Sequence, residues 1–441
     1  MLRQLIWRTL ITNFALSAVA MVNSILLSRW LGPEGRGEIA AALLWGGLLI
    51  YLSSLGIISS VLYFAALPES RSQTIFANGL ILAAVQSLVV LPLAFVAIPW
   101  LLRSQTPSVI SAARLYLLVI PLSLVTQYGV SILQGRMHIR AFNWLRIILP
   151  VGYLIGTVAL IAVGRLTLLN IVILHLSLNL IVLISTLATL LKVGVPLGLR
   201  CDLSLMRQML RYGMKVHVGT VSGAANLSLD QVLMAAWLAP VHLGLYVVAV
   251  SAAGISQIFS LAVQMVLTPS ITQKASQSER TSVLQSVFRR YWVLSLLIAL
   301  VVGAALPLAI PVVFGSDFLK AIWPAEILLV GALFVGAKDV LAGGAQALGN
   351  PWLGSKSQLW ALVITVVLLY LLLPVMGILG AALASVAAYA AQLALVIHGL
   401  RRSHGISPVE LFRFKPKDLG AALNISDLIK GQRARLLSDQ S

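Results

Sequence analysis

Charged side chains are scarce in this sequence: Asp, Glu, Lys and Arg make up only 10% of its 441 residues. Soluble domains carry about 25%, so the chain has too little charge to coat a water-facing surface. A single cysteine, Cys201, excludes an internal disulfide and leaves no thiolate cluster for a metal. The six histidines are scattered, with no pair at the helical spacing of a zinc site. Acidic residues number 13, which leaves few carboxylates to pair for acid and base chemistry. The run Gly331-Ala332-Leu333-Phe334-Val335-Gly336-Ala337-Lys338 imitates a phosphate-binding loop but lacks the Lys-Ser/Thr ending and sits mid-helix. No enzymatic signature survives.

What the chain has in abundance is apolar length. Hydrophobic residues make up 59% and the mean hydropathy is +0.98. A membrane span needs roughly 20 apolar residues. On that rule helices are expected at 9–31, 39–63, 77–101, 109–134, 141–163, 167–191, 214–237, 242–267, 290–314, 320–347, 357–375 and 377–400. Pro33, Pro68, Pro107, Pro240, Pro351 and Pro374 fall in or beside the breaks. The apolar pattern runs past Ala18-Val19-Ala20 to Trp30, so the first stretch reads as a span rather than a cleaved signal. The expected fold is all-α and polytopic, with about twelve spans.

The excess of positive charge, +18, raises nucleic-acid binding in a soluble protein. Here the basic residues lie in short breaks between apolar runs and read as topology signals. With the N-terminus in the cytoplasm, 24 Lys and Arg fall on the inner side and 6 on the outer. Both termini are therefore expected inside, with an even number of spans.

Residues 18–53 align without gaps to 225–260 at a constant offset. The shared core is Trp-Leu-x-Pro-x-x-x-Gly, at Trp30-Leu31 to Gly37 and at Trp237-Leu238 to Gly244. Two parallel six-helix halves follow, an N-terminal lobe 1–200 and a C-terminal lobe 201–402, ahead of a basic tail 403–441. The tail holds an amphipathic stretch from Leu419 to Leu436, read as a solvated segment or as a helix on anionic lipid.

The run Arg29-Trp30-Leu31-Gly32-Pro33-Glu34-Gly35-Arg36-Gly37-Glu38 resembles the polysaccharide-transporter family, as does Leu229-Asp230-Gln231 with Trp237-Leu238-Ala239-Pro240 and Leu243-Gly244-Leu245-Tyr246. This family comprises Wzx-type O-antigen and capsule flippases within the multidrug/oligosaccharidyl-lipid/polysaccharide exporter superfamily. The resemblance implies a MATE-like, V-shaped arrangement of two bundles around a hydrated cavity in the bacterial inner membrane. It implies a substrate of undecaprenyl-diphosphate-linked oligosaccharide, proton or sodium coupling, no cofactor, and polymerase or assembly proteins as partners alongside the bilayer. The rival functions are a drug or metabolite antiporter of similar fold, a membrane-embedded glycan polymerase or ligase, and a structural scaffold.

Polar groups inside spans are the functional candidates, because a charge there is costly unless paired or hydrated. Asp230, with Asn226 one turn earlier, is the leading ion-coupling site, and the repeat places Asn23 at the matching position of the first span. The alternative is a carboxylate that packs helices together. Lys338 and Asp339 are adjacent in the tenth span and are expected to point about 100° apart, without facing each other. Lys338 then meets a diphosphate or pairs with Asp230, with a structural ion pair as the equal alternative, and Asp339 joins the ion-coupling candidates. Arg29 and Arg36, with Glu34 and Glu38, form an expected cluster at the outer mouth of the first hairpin, where Arg suits a diphosphate. Arg146, beside Arg136 and Arg140, is the matching candidate on the inner side. Solvated Arg–Glu pairs and lipid-facing topology charges are the competing readings of these arginines. Tyr51, Tyr63, Tyr128, Tyr153, Trp144 and Trp360 are able to stack on sugars, but most are expected in interfacial belts that need no ligand.

Overall fold

The computed structural model describes residues 2–413 except 69–70, 199, 255–259, 261–262, 264–266, 268–270, 272–275 and 351. Most of the second half of the eighth expected span and the stretch Leu419–Leu436 lie outside the described residues. The elements are α1 (Leu2–Ser53), α2 (Ile57–Ala65), α3 (Ser72–Leu101), α4 (Pro107–Tyr116), α5 (Val119–Gly135), α6 (Ile139–Ala162), α7 (Leu168–Lys192), α8 (Leu203–Trp237) and α9 (Pro240–Ala253). They continue with α10 (Gln277–Phe314), a 3₁₀ turn (Ser316–Ala321), α11 (Ile322–Ala347), α12 (Trp352–His404) and α13 (Pro408–Phe412). No strand occurs among the described residues. In hydrocarbon every backbone group must be satisfied within its own segment, which the α-helix achieves.

Eight of these helical stretches are long and apolar enough to cross a membrane. Two of the eight are each two spans in one. The apolar part of α1 has 43 residues and α12 has 53. Straight, they would run about 65 and 80 Å, against a hydrocarbon core of about 30 Å. Each breaks at a glycine in the left-handed region, Gly32 (φ 64°) and Gly377 (φ 55°). Only glycine visits that region without a steric penalty. The chain then doubles back. The Arg36 Nη2 donates to the Ser24 Oγ at 3.5 Å, twelve residues earlier, where a straight helix would hold them about 18 Å apart. Likewise Gly380 lies against the Leu372 carbonyl.

The second expected span is itself interrupted. Leu55 (φ 47°) and Gly56 (φ 71°) turn the chain between α1 and α2. A glycine inside an apolar run leaves hydropathy unchanged, so the residue pattern carries no sign of this break.

The chain gathers into two compact units. The first comprises residues 1–251, 309–324 and 366–381; the second comprises 252–308, 325–365 and 382–441.

In the first unit the repeat becomes a contact. A Cβ added to Gly37 would overlap the Pro240 carbonyl, and one added to Gly244 would overlap the Pro33 carbonyl. Each hypothetical Cβ also lies 2.9 Å from the other glycine's backbone nitrogen. Equivalent residues of the two repeats thus meet reciprocally, with helix backbones approaching as closely as small residues permit. A second close approach joins Gly56 to the Gly213 carbonyl, beside the stacked rings of Tyr63 and Tyr212 at 4.5 Å. Asn78 reinforces this end by donating to the Asp202 carbonyl at 3.0 Å while accepting from the Asp202 N–H at 3.1 Å. At the other end Gln105 donates to the Ala235 and Leu238 carbonyls, at 2.8 and 3.0 Å, satisfying the last turn of α8.

The second unit packs α10, α11 and α12 around Leu284, Phe288, Val340, Leu341 and Val396. Small residues again set the spacing: Gly344 receives Leu284, and Gly399 receives Leu353. The short α13 closes one end, with Phe412 edge-on to Phe288 at 5.6 Å and Glu410 accepting from Gln285 at 2.9 Å.

Candidate functional site

A cavity of about 790 Å³ opens inside the first unit, lined by both arms of α1 and by α6, α7, α8 and α9. Its position follows from the fold: the hairpin at Gly32 splays the arms of α1, α9 reaches the second arm at Gly37, and α8 reaches the turn after it at Gly56. Most of the wall is aliphatic. The polar side chains are Asn23, Ser24 and Arg36 from α1, Tyr153 from α6, His175 from α7, and Ser228 and Gln231 from α8, with Tyr51 lower on α1.

Arg36 carries the one fixed charge among the lining residues. Its Nη2 reaches Ser24, which meets Ser251 of α9 at 3.4 Å, and Tyr153 lines the same cavity. The Nε is buried and has no hydrogen-bond partner among the described residues. Asn23, 5% exposed, lines the same wall, and its Oδ1 and the Tyr153 hydroxyl are likewise without a hydrogen-bond partner among the described residues. An unmet donor on a cation and an unmet acceptor on the same wall are costly in a dry interior. Together they fit a ligand that brings an anionic oxygen and a hydrogen-bond donor.

The aromatic side of the cavity is His175. Its ring stands edge-on to Tyr153 at 4.1 Å, and its Nδ1 faces the Tyr116 hydroxyl at 3.4 Å. Tyr153 and His175 carry no sequence signal that separates them from lipid-facing or interfacial aromatics. Only the hairpin and the packing of α6 on α7 turn them inward.

The other sequence candidates go elsewhere. Arg29, expected beside Arg36, points away and donates to the Val312 and Val313 carbonyls, capping the end of α10. A guanidinium there opposes the negative end of the helix dipole. Arg146 donates to the Asn13 Oδ1 at 3.1 Å and lies over the Phe142 ring at 5.1 Å, tying α6 to α1. Asp230 is 4% exposed and is not among the cavity-lining residues. Its Oδ2 accepts from the Tyr246 hydroxyl at 2.5 Å and its Oδ1 from the Gln231 N–H at 2.7 Å. Asn226 is buried a turn away on α8.

The expected separation of Lys338 and Asp339 is corrected in the second unit. Lys338, 5% exposed, bends its flexible stem onto its neighbour and forms an ion pair with Asp339 Oδ1. The 100° step between adjacent residues fixes where the Cβ atoms point, not where a four-carbon chain can reach. The partner of Lys338 is therefore Asp339 rather than Asp230. Trp144 and Trp360 are exposed, as interfacial aromatics should be, whereas Tyr128 is fully buried and donates to Gln86 at 2.7 Å.

A family profile described as polysaccharide biosynthesis protein matches residues 2–275. Solved structures share the fold. A lipid II flippase, MurJ, in an inward closed conformation has a TM-score of 0.76 at 13% identity, covering 91% of this chain and 88% of its own. An inward-facing multidrug resistance MATE family transporter of the MOP superfamily has a TM-score of 0.73 at 14% identity, covering 88% and 94%. The MATE multidrug transporter DinF-BH has a TM-score of 0.63 at 18% identity, covering 94% and 96%. No curated protein matches the sequence. The fold is that of the MATE and MurJ proteins, in a multi-pass membrane protein.

Proposed function

Since the chain belongs to the polysaccharide biosynthesis protein family, we propose that it is a flippase for undecaprenyl-diphosphate-linked oligosaccharide in the bacterial inner membrane. The observation that carries this reading is Arg36: a cation with an unmet donor, facing a cavity large enough for a polar headgroup. A diphosphate crossing bare hydrocarbon meets a prohibitive desolvation cost. The cavity substitutes a guanidinium, amides and hydroxyls for water, while the prenyl tail stays in lipid. The two repeat halves, 1–200 and 201–402, act as the lobes of an alternating-access cycle, with both termini in the cytoplasm. An ion gradient, proton or sodium, drives it, and polymerase or assembly proteins receive the product. The likeness to the lipid II flippase MurJ supports a lipid-linked cargo.

The comparably good fit to MATE transporters keeps a drug antiporter as the second reading. Reconstitution separates the two. Proteoliposomes given a defined lipid-linked oligosaccharide should transfer it between leaflets, and Arg36→Gln should slow the transfer roughly 100-fold, the loss of a charge-assisted contact of about 3 kcal/mol. Transfer no faster than in empty liposomes, with an organic cation exported instead, would establish the antiporter.

A further inference from the structure

The ionisable groups of the cavity are unbalanced in sign. Arg36 is a fixed cation, and no carboxylate is among the lining residues. A diphosphate diester brings two negative charges. Beside Arg36 alone, one of them stays uncompensated, which a low-dielectric wall strongly disfavours.

His175 is the other lining side chain able to carry a positive charge. Its neighbours are defined on every side. From α4 the Tyr116 hydroxyl faces Nδ1, and from α6 the Tyr153 ring packs against it. From α1, Arg36 and Tyr51 line the same cavity. The one ionisable residue of α5, Tyr128, is engaged by Gln86. Across the cavity α8 presents neutral Ser228 and Gln231, while its Asp230 is held by Tyr246. Without an anion, a positive charge on His175 faces Arg36 and aromatic walls, and no carboxylate receives it. An arriving dianion reverses that balance.

We propose that His175 takes up one proton when a diphosphate-linked headgroup docks beside Arg36, so that anion and proton occupy the cavity together. The inference rests on the flippase reading and adds the identity and place of an ion that shares the cavity with the cargo. The proton goes from solvent to the imidazole, which leaves the filled cavity neutral. Tyr116 accommodates both states, since its hydroxyl donates to a neutral Nδ1 and accepts from a protonated one. By linkage, the proton tightens anion binding by the same factor as the anion tightens proton binding. That is co-binding at this site, the opposite of competition between proton and cargo.

The test is calorimetric titration of the purified full chain with farnesyl-diphosphate-linked N-acetylglucosamine, a diester whose charges are fixed between about pH 5 and pH 8. Parallel titrations in two buffers of different ionisation heat count the protons. The wild-type protein should take up about one proton per probe, with affinity rising up to about tenfold per unit fall in pH. His175→Gln should bind the probe with no uptake and a flat pH profile; His175→Asn replaces it where the glutamine variant is not monodisperse. Binding without uptake by the wild type, or uptake unchanged in both variants, overturns the inference and leaves the flippase reading standing. No binding by the wild type overturns both.

Discussion

The two copies of the repeat share a backbone and differ in what they present. Trp30-Leu31-x-Pro33 and Trp237-Leu238-x-Pro240 each open an arm whose glycine, Gly37 or Gly244, seats on the other copy. Around that common seam the polar residues diverge. The first copy carries Asn23, Ser24 and Arg36, all lining the cavity. At the matching positions the second carries Asp230, Gln231 and Leu243, with the acid turned to Tyr246 and the cation replaced by a buried leucine. Residues that bring backbones together are therefore shared, and residues that hold charge are not. One half supplies the cavity's cation, while the carboxylate of the other accepts from the Tyr246 hydroxyl and the Gln231 N–H.

That contrast can be broken most severely at the seam. Gly37→Leu and Gly244→Leu should each prevent a monodisperse protein from being purified, because the side chain lands on carbonyl carbon and oxygen. Gly37→Ala and Gly244→Ala are the sharper pair. Each should cost about 2–3 kcal/mol, and the double variant less than the sum, since both changes open one contact. Thermal unfolding in detergent measures this, and clearly unequal single losses would argue against reciprocity.

The polar divergence is probed next. Tyr246→Phe removes the short bond to Asp230 and should cost about 1–3 kcal/mol of stability. Asp230→Asn makes the second copy resemble the first and should lower the unfolding temperature while leaving ion-driven transfer in proteoliposomes within about threefold of wild type. Loss of gradient dependence in that variant would return Asp230 to the role of an ion-coupling site. The smallest effect is expected from Arg29→Gln, about 0.3–1 kcal/mol for a helix-end charge, with transfer unchanged. The matched change at Arg36, on the facing arm of the same hairpin, should remove nearly all transfer in the same assay.

The spans were legible because hydrocarbon selects on length and apolarity, which a sequence displays directly. The breaks at Gly32-Pro33 and Pro374–Gly377 were legible for the same reason that turns usually are: proline and glycine mark them. The turn at Leu55-Gly56 was not, since neither residue interrupts the apolar run. Arg36 stood out as a candidate, but its separation from Arg29 depended on the hairpin, which sends one guanidinium inward and the other to α10. Tyr153 stood out only as one of several aromatics able to stack on sugars, and His175 not at all, because a helix between lipid and cavity is apolar on every face and its periodicity is too flat to orient. Lys338–Asp339 misled through side-chain reach, a property of the stem rather than of the helical wheel.

The reciprocal seating of Gly37 and Gly244 has the character of an isologous interface folded into a single chain. One surface used twice completes it, so no second, complementary surface had to arise. The same self-complementarity restricts drift: a bulkier residue accepted on one side meets a proline carbonyl on the other, and neither repeat can change there alone.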